Sequence, residues 1–180
     1  KAELPHAAVV CYVNTSAEVK AESDICCTSG NAVKVVNSLP QDEILFVPDQ
    51  YLGHFVSTQV KKKFHFWPGY CLPHTRILPH HITDGRREHP KAKGVVHPEC
   101  RPEVQALADE VLSTGGMIRY ARRSDVTELI LGTELGILHR LRQEHPEKKF
   151  YPATEQAVCP RMKLTTLDSV LESLQEMRYV

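Results

Sequence analysis

The segment VVCYVNTSAEVKAESDICCTSG, residues 9–30, decides the fold, because it returns later in the chain as GVVHPECRPEVQALADEVLSTG, residues 94–115. A shift of 85 residues keeps the two copies in register and continues past them. It aligns Val10 with Val95, Glu18 with Glu103, Val19 with Val104, Ala21 with Ala106, Asp24 with Asp109, Gly30 with Gly115, Glu43 with Glu128, Asp49 with Glu134, His54 with His139 and Lys63 with Lys148. The sequence therefore predicts a duplicated structural unit.

Each copy has the same predicted order of elements. A short apolar strand (AAVVCYV or GVVHP) leads into a helix (SAEVKAES or RPEVQALADEV), a loop of small residues and a second helix. A further strand (EILFVPD or ELILGTE) and a third helix follow. Apolar strands that alternate with helices are typical of a parallel sheet with both faces covered.

We therefore expect an α/β protein of two tandem Rossmann-like αβα units with parallel sheets, related as a pseudo-symmetric repeat. The predicted units are residues 1–89 and 90–180, divided at the polar stretch DGRREHPKAK. The second unit is expected to end in a helix over TTLDSVLESLQEM, with Thr165 as its N-cap.

Composition narrows the class of protein. Lys and Arg total 22 against 22 Asp and Glu, so neither nucleic acid nor an anionic membrane is an expected partner. No apolar run approaches the roughly 20 residues of a membrane span. The sequence also shows no secretory signal, so we expect a cytoplasmic protein whose six cysteines are free thiols. The chain starts without methionine and enters a strand almost at once, which we interpret as a piece of a longer protein.

Polar residues follow the first strand of each copy. Tyr12 and Asn14 stand in the first copy where His97 and Glu99 stand in the second. Ligands of parallel α/β sheets bind at the carboxyl ends of the strands. The HPE stretch is compatible with a solvated loop, a catalytic pair or a metal site. It shares the H-x-E pattern of zinc deaminases, but those enzymes also need two later cysteines in a P-C-x-x-C motif, and no second cysteine follows Cys159.

Hydroxyl-bearing loops precede the second helix of each copy. They contain Ser29 in TSGN, and Ser113 with Thr114 in STGG. A loop of this kind either caps its helix or binds phosphate or carboxylate. Its repetition at one cleft favours the anion site.

Cysteines recur in both copies beside turn residues, at Cys71 in WPGYC and at Cys159 in EQAVC. The two positions predict thiolates that reach a shared cleft, with small buried side chains as the alternative. Two cysteines cannot hold an iron–sulfur cluster by themselves. Three other cysteines and the tryptophan are expected in the core (Cys11, Cys26, Cys27, Trp67). Four histidines of the polar connecting stretch are expected at the surface (His74, His80, His81, His89).

Taken together, YVNTSAEVKAESD, CTSGNAVKVV, FVPDQYLG, WPGYC, VHPEC, STGGM, GTELGILHRL and CPRMK resemble the quinolinate synthase family over nearly the whole chain. The resemblance implies a bacterial or archaeal enzyme of NAD biosynthesis that condenses iminoaspartate with dihydroxyacetone phosphate and loses phosphate and water. It also implies three αβα units around a 4Fe-4S cluster, of which this chain matches the second and third. The first unit, with the third cysteine ligand, is missing, so this polypeptide alone is expected to be inactive.

The resemblance also implies roles for individual residues. Cys71 and Cys159 would be cluster ligands, and one iron would be left open to substrate. The implied catalytic residues are Tyr12, His97 and Glu99, and the implied substrate-binding residues are Tyr12, Asn14, Ser29, His97, Glu99, Ser113, Thr114 and Met162. An aspartate-oxidising enzyme that supplies iminoaspartate is an implied partner. A non-catalytic α/β module that binds an anionic metabolite between its repeats is the alternative.

Overall fold

The computed structural model, which describes residues 2–179, contains two four-stranded parallel sheets. The first sheet has the order β2-β1-β3-β4, and the second repeats it as β6-β5-β7-β8. The strands are β1 (Ala8–Tyr12), β2 (Ile25–Cys27), β3 (Glu43–Val47), β4 (Lys63–Phe66), β5 (Lys93–Val96), β6 (Glu110–Val111), β7 (Glu128–Gly132) and β8 (Lys149–Pro152). The prediction of two tandem α/β units with parallel sheets is confirmed.

Helices connect the parallel strands. They are α1 (Ala17–Ala21), α2 (Ala32–Ser38), α3 (Gln50–Ser57), α4 (Leu72–Thr75), α5 (Pro79–Glu88), α6 (Pro102–Gln105), α7 (Thr114–Ala121), α8 (Gly136–Glu144) and α9 (Leu167–Glu176), with a 3-10 turn at Met162–Leu164. Among residues 2–179, no helix is long and apolar enough to cross a membrane.

Central strands are buried on both faces. In β5, Val95 packs into one apolar cluster with Leu129, whereas the adjacent Val96 packs into another with Ile130. Successive side chains of a strand point to opposite faces, so both faces of this sheet are covered. The near-continuous apolar runs at the start of each copy reflect this double burial.

Aspartates at equivalent positions in the two units accept hydrogen bonds from backbone amides of the central strands. Asp24 Oδ2 accepts a hydrogen bond from the Val9 amide at 2.7 Å, and Asp109 Oδ2 accepts one from the Gly94 amide at 2.7 Å. Each aspartate precedes an edge strand and holds the neighbouring central strand. The repeat seen in the sequence is thus also a repeat of contacts.

Replacing Asp109 with alanine is expected to lower the free energy of unfolding by about 1–3 kcal/mol, because the buried Gly94 amide loses its acceptor. Denaturant titration followed by circular dichroism measures the change. Asp125→Ala is the matched control, since it removes an exposed carboxylate paired with Arg123 and should change the value by no more than about 0.5 kcal/mol. Equal losses of unfolding free energy in the two variants would show that the hydrogen bond from Gly94 to Asp109 does not stabilise the fold.

The predicted alignment of Lys63 with Lys148 is wrong by one residue. Lys63 pairs with Glu43, and in the second unit Lys149 pairs with Glu128. The side chain of Lys62 instead donates to backbone carbonyls, as does that of Lys148. Helix α8 has 9 residues against 8 in α3, which shifts the register after it.

Several local predictions are corrected. The predicted helix RPEVQALADEV ends at Gln105, and Glu110–Val111 forms β6, because a strand this short shows no alternation in sequence. Trp67 is 58% exposed rather than buried, and Cys26 is exposed on the edge strand β2. The N-cap of α9 is Thr166, whose side chain accepts from the Ser169 amide, rather than Thr165.

Helix α5 contains part of the stretch that was expected to divide the units. Ile82 joins Val96 and Ile130 in one buried cluster, and Gly85 lies against Ile130. The helix therefore packs on the second sheet although it precedes residue 90. The division into 1–89 and 90–180 stays a prediction.

Candidate active site and metal centre

A cavity of about 840 Å³ opens where strands of both sheets end. Its wall comes from segments that follow β1, β3 and β4 in the first unit and β5, β7 and β8 in the second. The predicted residues that line it are Tyr12, Asn14, Cys71, Glu99, Cys159 and Met162. Residues from the two copies thus meet at one site.

Tyr12, at the end of β1, connects the two units. Its hydroxyl accepts a hydrogen bond from Asn14 Nδ2 at 2.8 Å and donates to Glu99 Oε2 at 3.4 Å. Burial, reinforced by the charge of Glu99, raises the pKa of Tyr12 far above its ordinary value. The phenol is therefore protonated at neutral pH and can act as a donor.

His97 and Glu99 are both buried after β5. His97 Nδ1 lies 3.2 Å from Glu99 Oε2, and His97 Nε2 lies 3.2 Å from Ser29 Oγ in the other unit. Burial opposes ionisation of Glu99, but the hydrogen bond from His97 and the proximity of His74 outweigh it and lower the pKa of Glu99. The carboxylate is ionised at neutral pH and is placed to accept a proton.

His74 belongs to the same cluster, although the sequence pattern assigned it to the surface. It is 7% exposed at the end of the first turn after Cys71. His74 Nδ1 lies 3.0 Å from Cys71 Sγ, and Nε2 lies 3.0 Å from Thr133 Oγ1. Its ring stacks on His97 with centroids 4.7 Å apart, and burial lowers its pKa to about 4. The spacing of three residues from Cys71 is the one signal in the sequence that could have identified it.

In each unit, a carboxylate accepts a hydrogen bond from the backbone amide of the cysteine that lines the cavity. Asp49 Oδ2 accepts from the Cys71 amide at 2.9 Å, and Glu134 Oε1 accepts from the Cys159 amide at 3.3 Å. The other oxygen of each carboxylate binds amides at the start of the following helix, Leu52 for Asp49 and Gly136 for Glu134. The repeat aligns Asp49 with Glu134, but nothing in the sequence around them predicts this role.

Cys71 and Cys159 are free thiols of intermediate exposure. Burial, together with the charge of Glu99, raises the pKa of Cys71 to about 12. A metal ion at this position would offset that penalty, because thiolates are stabilised by direct coordination. Within residues 2–179, no other cysteine lines the cavity.

These features fit part of an iron–sulfur ligand set. Two thiols from the two units reach one cavity, and each is held through its backbone by a carboxylate. Cys100, which follows the HPE stretch, is fully buried, and its thiol donates to the carbonyl of Gly132.

The hydroxyl loops lie beside the cavity rather than in its wall. Ser29 Oγ contacts His97 Nε2 at 3.2 Å, and neither residue lines the cavity itself. Ser113 caps α7 by accepting from the Gly116 amide at 3.2 Å, and it lies against Gly30 of the other loop. Thr114 is exposed next to it. The two loops therefore lie against each other, as a shared anion site would require, while Ser113 also caps its helix.

The 3-10 turn after Cys159 covers another side. Met162 lines the cavity and is 60% exposed. Lys163 Nζ lies 3.4 Å from Glu134 Oε1, which links this turn to the residue that positions Cys159.

Gly69→Ala is expected to destabilise the protein by about 1–3 kcal/mol and to displace the Cys71 loop, because a Cβ at residue 69 would overlap the carbonyl oxygen of Pro48. Thermal unfolding and the rate at which Cys71 reacts with a thiol reagent report the two effects. Gly115→Ala is the control, since its Cβ would meet only the side chain of Arg119. An unchanged Gly69→Ala variant would show that the loop can move away from Pro48.

Comparison with known proteins places this site in a family. The model of the family described as quinolinate synthetase A protein matches residues 1–180. Quinolinate synthase from Dehalococcoides mccartyi is 63% identical over 180 residues, which are 100% of this chain and 60% of the relative. Quinolinate synthase 2 from Methanosarcina acetivorans is 54% identical over 179 residues, 99% of this chain and 58% of the relative. The chain thus spans about 60% of the length of these curated relatives, and over all of its own length it belongs to the quinolinate synthetase A family.

Proposed function

We propose that this chain supplies much of the active site of a quinolinate synthase, which condenses iminoaspartate with dihydroxyacetone phosphate and releases phosphate and water in NAD biosynthesis. The observation that carries the proposal is one cavity shared by Cys71, Cys159, Tyr12 and Glu99, in a chain of this family. Thiols, a protonated phenol and an ionised carboxylate together suit both metal binding and proton transfer.

Cys71 and Cys159 would provide two thiolates to a 4Fe-4S cluster. The third would come from outside these 180 residues, in keeping with relatives that are longer than the chain. When bound, the cluster would supply a Lewis-acidic iron without a protein ligand. Asp49 and Glu134 would hold the two cysteine backbones in position for it.

Protons would move between residues that already contact one another. Glu99, ionised and buried, would accept a proton during dehydration, and Tyr12 would donate a hydrogen bond or proton to developing negative charge. His97 would exchange a proton with Glu99 on one side and hold Ser29 on the other. Asn14 would fix the orientation of the Tyr12 hydroxyl.

Anionic groups of the substrates would be bound at the edges of the cavity. Ser29, Ser113 and Thr114 lie on loops that meet beside His97, and their hydroxyls and amides suit carboxylate or phosphate oxygens. Met162 would close the wall next to Cys159.

The proposal includes a cytoplasmic location and a supply of iminoaspartate by an aspartate-oxidising enzyme. All six cysteines are free thiols, a state that a reducing compartment maintains. The supply by an oxidising enzyme is what the family resemblance implies.

The product of the complete gene, purified without oxygen, tests the function. It is incubated with dihydroxyacetone phosphate and with aspartate that an oxidase converts to iminoaspartate, and quinolinate and phosphate are measured. Equal amounts of the two products are expected. A colourless protein that forms neither product but binds an anionic metabolite would instead favour a non-catalytic binding module.

A further inference from the structure

We propose that Cys71, His74 and Glu99 form a mononuclear site for a divalent transition metal of the Zn²⁺ class when no iron–sulfur cluster is bound. The site does not depend on the proposed reaction. It uses one thiol that the cluster would also need, together with two side chains that the cluster would not need.

The three donor atoms already lie close together. Cys71 Sγ is 3.0 Å from His74 Nδ1, which is 3.5 Å from Glu99 Oε2. All three lie within 4.8 Å of one another. A tetrahedral zinc ion with bonds of about 2.0–2.3 Å requires donors roughly 3.3–3.6 Å apart. A small outward movement of the half-buried Cys71 side chain would complete this geometry.

The donor set selects the class of metal. A thiolate and an imidazole favour Zn²⁺ and related transition ions over Mg²⁺ and Ca²⁺, which prefer oxygen ligands. Three protein ligands beside an open cavity leave a fourth position for water, an arrangement typical of zinc sites that are not purely structural.

Neighbouring groups already orient the ligands. With its ring proton on Nε2, His74 donates to Thr133 Oγ1 and turns the lone pair of Nδ1 toward Cys71 and Glu99. Asp49 holds the Cys71 amide, and Tyr12 donates to the Glu99 carboxylate. Metal-binding side chains commonly have such partners, which fix their orientation before the ion arrives.

Charge around the site also favours a cation. The carboxylates of Asp49, Glu99 and Glu134 all line the cavity. Lys163 pairs with Glu134 and Arg161 also lines the cavity, but among the lysines and arginines that the structure describes none forms an ion pair with Asp49 or Glu99. A divalent ion bound beside Glu99 would compensate the charge of this buried carboxylate.

The two metal sites exclude each other because both need Cys71. Cys159 distinguishes the two sites, since it belongs to the proposed cluster ligands but not to the trio of Cys71, His74 and Glu99. A protein that has lost Cys159 is therefore expected to keep the mononuclear site.

The test uses the product of the complete gene, stripped of iron and kept reduced, with Co²⁺ as a spectroscopic probe for Zn²⁺. One equivalent of Co²⁺ should produce thiolate-to-cobalt charge-transfer absorption and the intense visible bands of a tetrahedral ion, and added Zn²⁺ should remove both. Cys71→Ala, His74→Ala and Glu99→Gln should each weaken Co²⁺ binding by about 100-fold or more, since loss of even an outer partner costs about 10–100-fold.

Matched variants decide the outcome. Cys159→Ala and Cys26→Ala, which remove thiols outside the trio, should bind Co²⁺ as the parent does. His74→Gln is a second variant in case His74→Ala misfolds, and circular dichroism checks the fold of each. The inference is overturned if Co²⁺ gives no charge-transfer band, if the His74 variants bind normally, or if Cys159→Ala loses binding as Cys71→Ala does.

Discussion

Under the proposed function, replacing either Cys71 or Cys159 with alanine in the product of the complete gene is expected to lower quinolinate formation by about 10³-fold or more and to remove the brown colour of an iron–sulfur protein purified without oxygen. Both thiols line the cavity, and the proposed cluster, which is normally held by several thiolates, would have one fewer after either substitution. The several kcal/mol that a Lewis-acidic iron contributes to the reaction would be lost with it. Iron and sulfide analysis, visible absorbance and product formation are measured on the same samples.

Cys26→Ala is the matched control for these substitutions. Cys26 is an exposed free thiol on an edge strand and does not line the cavity. Its variant should keep the iron content and the turnover of the parent. If Cys71→Ala or Cys159→Ala also kept both, the residue would have no part in the cluster.

Under the proposed function, the His97→Ala variant of the complete gene product is expected to form quinolinate about 10²–10⁴-fold more slowly while it retains as much iron as the parent. His97 Nδ1 lies 3.2 Å from Glu99 Oε2, nearer than the Tyr12 hydroxyl at 3.4 Å or His74 Nδ1 at 3.5 Å, so the substitution removes the nearest group with which this buried carboxylate can exchange a proton. The effect should fall on kcat, because iron content and fold are preserved. Steady-state kinetics with parallel iron analysis measure it.

His54→Ala provides the comparison, since His54 is an exposed histidine on α3 outside the cavity. Turnover of this variant should match that of the parent. A His97→Ala enzyme with unchanged kcat would remove His97 from the proton-transfer pathway and leave Tyr12 and Glu99 as the remaining candidates.

Much of the site was predictable because the repeat places equivalent residues at equivalent strand ends. The shift of 85 residues paired Tyr12 and Asn14 with His97 and Glu99, and the structure brings Tyr12 and Glu99 into contact. Strands that run parallel end at one edge of a sheet, so residues that follow them are expected to cluster. The roles of these residues remain predictions.

His74 could not be predicted in the same way. It stands among prolines, arginines and other histidines in a stretch that looks solvated, and its burial results from the short helix α4, which folds it against Thr133 of the other unit. Trp67 shows the opposite error, because a large aromatic residue next to a turn was expected inside and is exposed. Composition does not report which side of a turn faces the core.

The sequence by itself determined the duplication, the parallel α/β class and the positions from which polar groups reach the cavity. Hydrophobic periodicity is local, so it can be read along the chain. Only the tertiary structure decided that His74 joins Cys71 and Glu99, and that Asp49 and Glu134 hold the two cysteines. Those contacts depend on how two separate sheets pack, which brings residues such as Tyr12 and Glu99 together from distant parts of the chain.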